Sequence, residues 1–502
     1  MNVKRRCSNH CAAALPLLGL LATSASWGAE GLEEVVVTAT KQEATAAQET
    51  PLSLTVLSTD DLAASHIDNV RSLGLRAPSL VFANNGQWAQ LYMRGIGSNN
   101  VFPGSDPSTT MYLDGVYLAR PLTAFADFLD VERIEVLRGP QGTLYGRNSA
   151  GGVINIIARQ PTQQPRVSLG VEYGEYEKFK VTGSASGPVV GDTLLGGIAL
   201  MRSGRDGYVD NVSSPGSPAR LNDEDSIGAR GVLRLLASKS VEVSLSADYF
   251  SADDHASAGK PFLADVHGDP IMMPPAFTPT HIADPWTVST TADHALEQKT
   301  TTWGVAGRVQ IDLPHDMQLV SLSAYRELDF DNTGVDPDWT EVNALTGNLF
   351  ESQHQFSQEL QLTGASGGLK WLTGVYYLTE DDSLLVPSSA HLAGLILFGT
   401  PDLMSVNDAY VETEAWAVYA NGTYALTDKL SISAGVRYSD EEKSIDTQAF
   451  LLVDGVNPGF GGFARQDRDD WQAWTPKLGV DYRWTDDRMV YASVTRGFKS
   501  GG

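Results

Sequence analysis

Histidines, cysteines and paired carboxylates come first, because they carry most enzymic and metal chemistry. The nine histidines are scattered, with no HExxH and no close pair spaced to hold a zinc ion. Both cysteines, Cys7 and Cys11, lie near the N-terminus, ahead of or at the start of an apolar run. No GxSxG elbow and no convincing acid/base pair can be found. Met272-Met273 reads as incidental rather than as a soft-metal patch. Residues 131–157, VERIEVLRGPQGTLYGRNSAGGVINII, are dense in glycine, but they lack GxxxxGK[ST] and any strand–loop–helix context for GxGxxG. They therefore do not read as a phosphate cradle. The chain is not expected to be an enzyme or to hold a cofactor or resident metal. What remains are residues that bind and lock: arginines, carboxylates, amides and aromatics.

Lys4, Arg5 and Arg6 precede an apolar run at 12–21 and small residues at 22–29. Residues 1–29 thus read as a signal peptide cut between 25 and 29, with an apolar core too short to span a bilayer. Because both cysteines fall in this leader, the exported chain would have none, which excludes thiol redox chemistry. The full chain carries 61 acidic against 36 basic residues, a net charge of −25, and losing the leader makes it more negative. That balance argues against nucleic-acid binding. It suits a solvated surface, or carboxylates facing divalent cations among lipopolysaccharides. No later run of eighteen apolar residues exists, so hydropathy reads as soluble. A transmembrane β-barrel gives the same reading, and periodicity is what separates the two.

In residues 241–249, Val241, Val243, Leu245, Ala247 and Tyr249 alternate with Glu242, Ser244, Ser246 and Asp248. Residues 430–438 repeat the pattern, with Leu430, Ile432, Ala434, Val436 and Tyr438 on one face. One apolar and one polar face at period two is the mark of a half-buried strand. Thirteen such strands are expected, near 166–173, 178–186, 193–202, 227–237, 240–250, 301–313, 316–329, 353–363, 369–379, 412–425, 429–440, 471–483 and 488–497. Short turns and long loops alternate after the first hairpin. Outer-membrane barrels sort their connections this way, whereas a soluble sandwich has no reason to. Aromatics near strand ends (Tyr173, Tyr249, Trp303, Trp371, Trp416, Tyr438, Trp484) fit interfacial girdles. Ahead of the strands, residues 51–160 read as a separate α+β unit. A strand is expected at 52–57, a helix at 60–67 capped by Ser58 or Thr59, and a hairpin about Asp114-Gly115. Residues 42–50, QEATAAQET, read as a linker.

The β-branched run at 33–39 (Glu33, Glu34, Val35, Val36, Val37, Thr38, Ala39) is suited to adding as a strand to a partner's sheet edge. The alternative is a short strand closing onto the α+β unit, and the two are compatible if the segment docks when idle. Together with the glycine-dense 131–157 stretch, this run resembles the TonB-dependent outer-membrane receptors: 33–39 resembles the TonB box and 131–157 the plug signature. The resemblance implies a transmembrane antiparallel β-barrel, here about 13 of roughly 22 strands, with an N-terminal α+β plug domain in its lumen. The expected organisation is a signal peptide at 1–29, TonB box and linker at 30–50, plug at 51–160 and partial barrel at 161–502.

By the same resemblance, Arg94 in MRGIGS and Arg138 in VLRGPQG match plug arginines that lock onto barrel carboxylates. Glu359 in SQELQL is the best match on the barrel, and Glu414 a second candidate. Arg133 and Arg147 read as solvent-facing. Substrate contacts are expected from the plug's outward segments, at Asn84, Asn85, Gln87, Trp88, Asn99, Asn100 and Phe102, since amides and aromatics suit a neutral, hydroxyl- or amide-rich ligand. Turn chemistry is the competing account of each one. The implied activity is TonB-energised import across the outer membrane of a Gram-negative bacterium. The implied partners are TonB with ExbB and ExbD, outer-membrane lipids and an iron–siderophore complex, and the receptor would act as a monomer. Cobalamin, another metal complex or an oligosaccharide stay open as cargo, and a passive porin or adhesin barrel is the contrasting class.

The ending VTRGFKSGG (494–502) resembles an interior family motif, so the product is expected to be a truncated receptor. Residues 30–502 alone would then neither insert stably nor transport, because an open sheet leaves backbone groups unpaired in lipid.

Overall fold

The computed structural model describes residues 36–42, 45–85, 88–100, 102–212, 217–255, 258–259, 284, 286–290, 295–337, 339–485 and 488–501. Within residues 36–158, a plug forms. Strands β1 (Val36–Val37) and β2 (Thr45–Ala46) pair antiparallel, so the stretch expected to be a bare linker is instead held in a short ladder. β3 (Leu54–Ser58) leads into α1 (Thr59–Ala64), where Ser58 and Asp61 exchange side-chain and backbone bonds in a capping box. The helix ends three residues earlier than expected. α2 (Val70–Leu73) follows, then the hairpin of β4 (Leu80–Asn85) and β5 (Trp88–Met93).

β6 (Thr109–Leu113) and β7 (Val116–Leu118) turn at Asp114 (φ 50°) and Gly115 (φ 87°). Two positive φ angles are what a tight hairpin of matching twist requires. With β8 (Val131–Arg138) and β9 (Gly152–Ala158) they complete a sheet in the order β3-β8-β9-β6-β7. Ile134, Val136, Ile154 and Ile156 pack from it onto Leu62, Val70 and Leu73 of the helices, which gives the plug its own core.

The wall begins with β10 (Arg166–Tyr173), β11 (Phe179–Val190) and β12 (Leu194–Arg205). β13 (Val209–Asn211) and β14 (Arg220–Leu221) sit in the first long loop. β15 (Glu224–Leu236) and β16 (Val241–His255) continue the wall. β17 (Thr287–Val288), in the second long loop, joins β13 and β14 in a small sheet of its own. Then come β18 (Glu297–Leu313), β19 (Met317–Val335), β20 (Thr346–Ser366) and β21 (Leu369–Ser389). The helix α3 (His391–Phe398) separates these from β22 (Leu403–Ala425) and β23 (Leu430–Val453). β24 (Phe463–Trp474), β25 (Lys477–Thr485) and β26 (Arg488–Thr495) finish the wall.

These strands form one antiparallel sheet of 14, with β10 and β26 at its edges. The sequence suggested thirteen, with a single strand at 471–483. The difference lies at Pro476, where β24 and β25 pair successively with the upper and lower parts of β23. Proline lacks the N–H that a continuous ladder needs. β20 to β23 also run well past their expected outer ends. Stretches such as Asp440-Glu441-Glu442-Lys443, polar on both faces, read as loop yet keep pairing.

Inside and outside follow the alternation. On β16, Leu245 (55% exposed) and Tyr249 (43%) face out, while Ser244, Ser246 and Asp248 face the lumen side. A continuous outward band of Leu, Val, Ile and aromatic side chains is what lipid requires and water would not tolerate. Trp416, Tyr438 and Trp474 meet ring to ring on that face, at 5.5 and 5.0 Å. No described helix is long and apolar enough to cross a membrane. The short turns at 314–316 and 367–368 lie at the opposite end of the strands from the long loops. A tag inserted at Gly455 should therefore be labelled on intact cells, and one at Gly367 only after the outer membrane is opened. The reverse pattern would invert this assignment. Asp336, between β19 and β20, is buried, so a tag there would not be displayed.

Candidate functional site

Val37 and Ala39 are fully buried, packed with Leu137, Leu144 and Tyr145 of the plug and with Leu372 and Ala415 of the wall. Next to them, Glu135 of β8 is fully buried and accepts the Thr38 N–H at 2.8 Å and the Thr38 hydroxyl at 3.2 Å. The same carboxylate accepts Arg133 Nε at 3.0 Å and Asn155 Nδ2 at 3.1 Å. Three residues along, Lys41 Nζ reaches across to the wall and meets both oxygens of Glu359, at 2.9 and 3.1 Å. Tyr419 donates its hydroxyl to Glu359 at 2.7 Å, and the Lys41 ammonium lies over the Tyr112 and Tyr145 rings. The N-terminal strand is thus clamped twice, once to the plug and once to the wall. Glu33, Glu34 and Val35 lie outside the described residues.

The plug is held to the wall by buried ion pairs. Arg120 meets Glu351 at 2.7 Å and Asp382 at 3.3 Å. Arg147 meets Asp106 at 2.6 Å and Glu441 at 3.0 Å, and Lys443 closes on the same Asp106 carboxylate at 2.7 Å. Lys180 of β11 meets Asp68 at 2.7 Å, and Arg230 of β15 pairs with Asp114 at the hairpin turn. Burial alone would raise the Asp106 carboxyl. Arg147 and Lys443 outweigh it and hold the group well below the ordinary carboxylate range. The Arg147 guanidinium is held above its ordinary value by Asp106 and Glu441, against the effect of burial.

These contacts correct the expected lock. Among the described residues, neither Arg94 nor Arg138 meets Glu359 or Glu414. Arg94 donates to Ser53 at 2.8 Å, and Arg138 donates to the Pro78 carbonyl at 2.9 Å and to Thr55. Both stand at one end of β8 and β5, turned away from the carboxylates of β20 and β22. Glu359 is taken by Lys41. Glu414 occupies an outward position on β22, where it accepts the Tyr377 hydroxyl at 3.0 Å. Arg133 and Arg147, read as solvent-facing, are both buried in ion pairs.

Of the expected ligand contacts, Gln87 lies outside the described residues, as do the side chains of Asn84, Asn85 and Trp88. The backbones of those three pair at the turn end of the β4–β5 hairpin. Asn99 accepts the Tyr92 hydroxyl, and Asn100 Oδ1 accepts the Phe102 N–H at 3.3 Å, so both serve the turn they sit in. Phe102 is exposed. The same loop reaches the long-loop end of the wall, where the Gly104 carbonyl accepts from Lys443 at 2.8 Å.

The family description "TonB-dependent Receptor Plug Domain" matches residues 46–153, and "TonB dependent receptor-like, beta-barrel" matches residues 240–502, more than half of the chain. This chain belongs to the TonB-dependent receptor family. The pesticin receptor of Yersinia pestis is 28% identical over 473 residues, which cover 93% of this chain and 64% of that receptor. The vitamin B12 transporter BtuB of Vibrio cholerae is 32% identical over 219 residues, covering 41% of this chain and 33% of that protein. Among solved structures, the ferric yersiniabactin uptake receptor FyuA from Yersinia pestis superposes with a TM-score of 0.75 at 23% identity, covering 90% of this chain and 65% of that one. The siderophore receptor PiuA from Acinetobacter baumannii gives 0.69 at 16%, covering 89% and 65%. The chain therefore spans just under two-thirds of the length of the pesticin receptor, FyuA and PiuA. Both structural likenesses speak for the fold of a TonB-dependent receptor.

For this TonB-dependent receptor, sequence reasoning missed Lys41, Arg120 and Glu135. Lys41 sits in a small polar stretch that reads as solvated. Glu135 is the signal that could have been heeded, because it is a lone carboxylate among Ile134, Val136 and Leu137 on a strand buried on both faces. A buried carboxylate needs partners.

Proposed function

We propose that this chain, within a closed barrel, imports a ferric siderophore across the outer membrane of a Gram-negative bacterium, as a TonB-energised monomer. Residues 33–39 add as a strand to TonB, and ExbB and ExbD couple it to the inner-membrane proton gradient. Residues 1–29 direct export and are removed. The observation that carries this reading is the double clamp on Thr38 and Lys41, at the base of a plug packed against the inner face of the wall. A passive porin or an adhesin has no use for a plug, nor for an N-terminal strand held by a ladder of only two residue pairs. The families of the relatives support the cargo class: FyuA is described as a ferric yersiniabactin uptake receptor and PiuA as a siderophore receptor. Asn84, Asn85, Gln87, Trp88, Asn99, Asn100 and Phe102 remain the candidates for first contact with cargo, with Phe102 the most accessible of those described.

The test is Val36→Pro in the protein expressed from its own gene under iron limitation. Proline removes a donor and blocks strand addition. Iron uptake should fall to the level of a TonB-deficient strain while surface binding of the iron complex stays unchanged. Normal uptake by the variant would sink the assignment of 33–39.

A further inference from the structure

Arg308 stands on the inner face of β18, and no described residue answers its charge. Its neighbours across the sheet are Ser244 on β16 and Leu322 on β19, and the next residue in the same row is Glu359 on β20. Two strand spacings set the backbones of Arg308 and Glu359 about 10 Å apart, and Glu359 is taken by Lys41 and Tyr419. Glu242 is taken by Arg234 through two bonds, at 2.6 and 2.7 Å, and Asp114 by Arg230. Among the described residues, Arg308 has no carboxylate within ion-pair distance and donates no hydrogen bond.

Two cavities meet at this guanidinium. One, about 740 Å³, opens among the short turns, with Leu313, Asp316, Gly364 and Lys370 in its lining. The other, about 360 Å³, lies deeper, beside Ser244, Ser246 and Asp114. Lys41, Gln42, Arg308 and Gln361 line both. Gln42 carries a second unmet donor, since its Nε2 is closed off from solvent and has no hydrogen-bond partner. A buried donor without an acceptor is costly, and the terminal torsion of a glutamine is soft enough to turn it into the shared space. Asp312 and Asp316 lie toward the turns, where Asp312 accepts Gln318 Nε2 at 2.9 Å. At the inner end every lining carboxylate is committed elsewhere, so the group that would complete the site is an acceptor bearing negative charge.

We propose that the two cavities form a binding site for a small oxyanion, a carboxylate or phosphate group entering from the short-turn side, held by the Arg308 guanidinium and the Gln42 and Gln361 amides. A planar guanidinium presents paired donors that match either group bidentately. The bound anion ties Gln42 to β18, and so braces residues 38–42 against the wall beside the Lys41–Glu359 pair. The site goes beyond the import reading. It needs only the docked geometry of residues 38–42, and no cargo takes part in it.

Trypsin digestion of the full receptor in detergent reads the bracing directly, with cleavage of the Lys41–Gln42 bond followed by mass spectrometry. Inorganic phosphate and malonate are the probes, each titrated against chloride at equal ionic strength. An anion that binds only the docked form slows opening in proportion to its saturation, so at ten times its dissociation constant cleavage should fall about tenfold. Arg308→Gln should abolish the protection by both probes. Arg308→Lys should keep a weakened response, because an ammonium lacks the fork, and Gln42→Leu should weaken it several-fold. Arg308 makes no described ion pair or hydrogen bond, so its replacement should leave the unfolding midpoint in chloride unchanged. Protection at lower concentration by phosphate than by malonate supports the site and assigns it to a phosphate group, and the reverse order supports it and assigns a carboxylate. Equal protection of wild type and Arg308→Gln is a general salt effect and overturns the site, as does absence of protection of the wild type by either probe. The assay involves no iron complex, so a receptor that fails to take up iron would count against the import reading alone.

Discussion

Arg147→Ala should cost the receptor roughly 3–5 kcal/mol of stability and loosen the plug in the barrel, because it leaves buried carboxylates short of their partner. Arg147 sits with a side chain only 6% exposed between Asp106 of its own domain and Glu441 of the wall. Lys443 remains in the variant, but it is already committed to Asp106 and to the Gly104 and Gly501 carbonyls. A compact ammonium also cannot span two carboxylates as a planar guanidinium does, so Arg147→Lys should recover only part of the loss. Arg94→Ala and Arg138→Ala should each change stability by less than about 1 kcal/mol, as for ordinary surface sites. Thermal unfolding and solute leak in liposome swelling are the measurements. Wild-type behaviour in Arg147→Ala, or a larger effect from Arg138→Ala, would place the lock elsewhere.

The same network sets the acid limit of the plug. Asp106 titrates below its ordinary value of 3.8, so its contribution is fully present above that pH and is lost only as pH falls through the lower folded value. The share of plug retention owed to the Asp106 contacts should accordingly persist from neutral to mildly acid conditions and be lost only in strong acid.

How far the sequence could be read depends on how sharply the environment divides. On β16 and β23 lipid lies on one side and a wet lumen on the other, and the residues alternate accordingly, so wall, turns and loops could be placed from period alone. The plug was less transparent because β8 and β9 are buried on both faces and show no alternation. The ion pairs were out of reach for a different reason. Arg138 and Arg147 lie nine positions apart around the same glycine-dense loop, and nothing in their neighbours tells which one turns toward the wall. That is settled by how the loop folds back. Gly146 takes φ +83°, and the Arg437 guanidinium packs so close that a Cβ there would lie 2.7 Å from it. Glu359, singled out as the wall carboxylate for a plug arginine, is buried, yet its partner is Lys41, 318 positions away, beside a stretch that reads as a linker.

The other large effect is expected at Glu135. Replacing it with alanine removes the acceptor of the Thr38 N–H and hydroxyl, of Arg133 Nε and of Asn155 Nδ2 in one step. Arg133 keeps its contact with the partly exposed Glu132 and its donation to the Thr38 hydroxyl at 3.3 Å. A loss of roughly 3–5 kcal/mol is expected for breaking this buried pair. Glu135→Gln keeps an acceptor for Thr38 but no charge for Arg133, so it should lose less, about 1.5–3 kcal/mol. Most of the penalty falls on the docked form of residues 36–41, because the two-residue β1–β2 ladder, the burial of Val37 and Ala39, the Lys41–Glu359 pair and one Arg133–Thr38 hydrogen bond are left to hold them. Lys41 is itself the reporter: trypsin cannot cut after a lysine whose ammonium is buried against the wall, and can once the segment swings free. Brief proteolysis of the folded receptor should therefore cleave after Lys41 in Glu135→Ala, more slowly in Glu135→Gln, and least in wild type. Equal protection in all three, with an unchanged unfolding midpoint, would mean that the wall clamp at Glu359 suffices and that Glu135 serves only the interior of the plug.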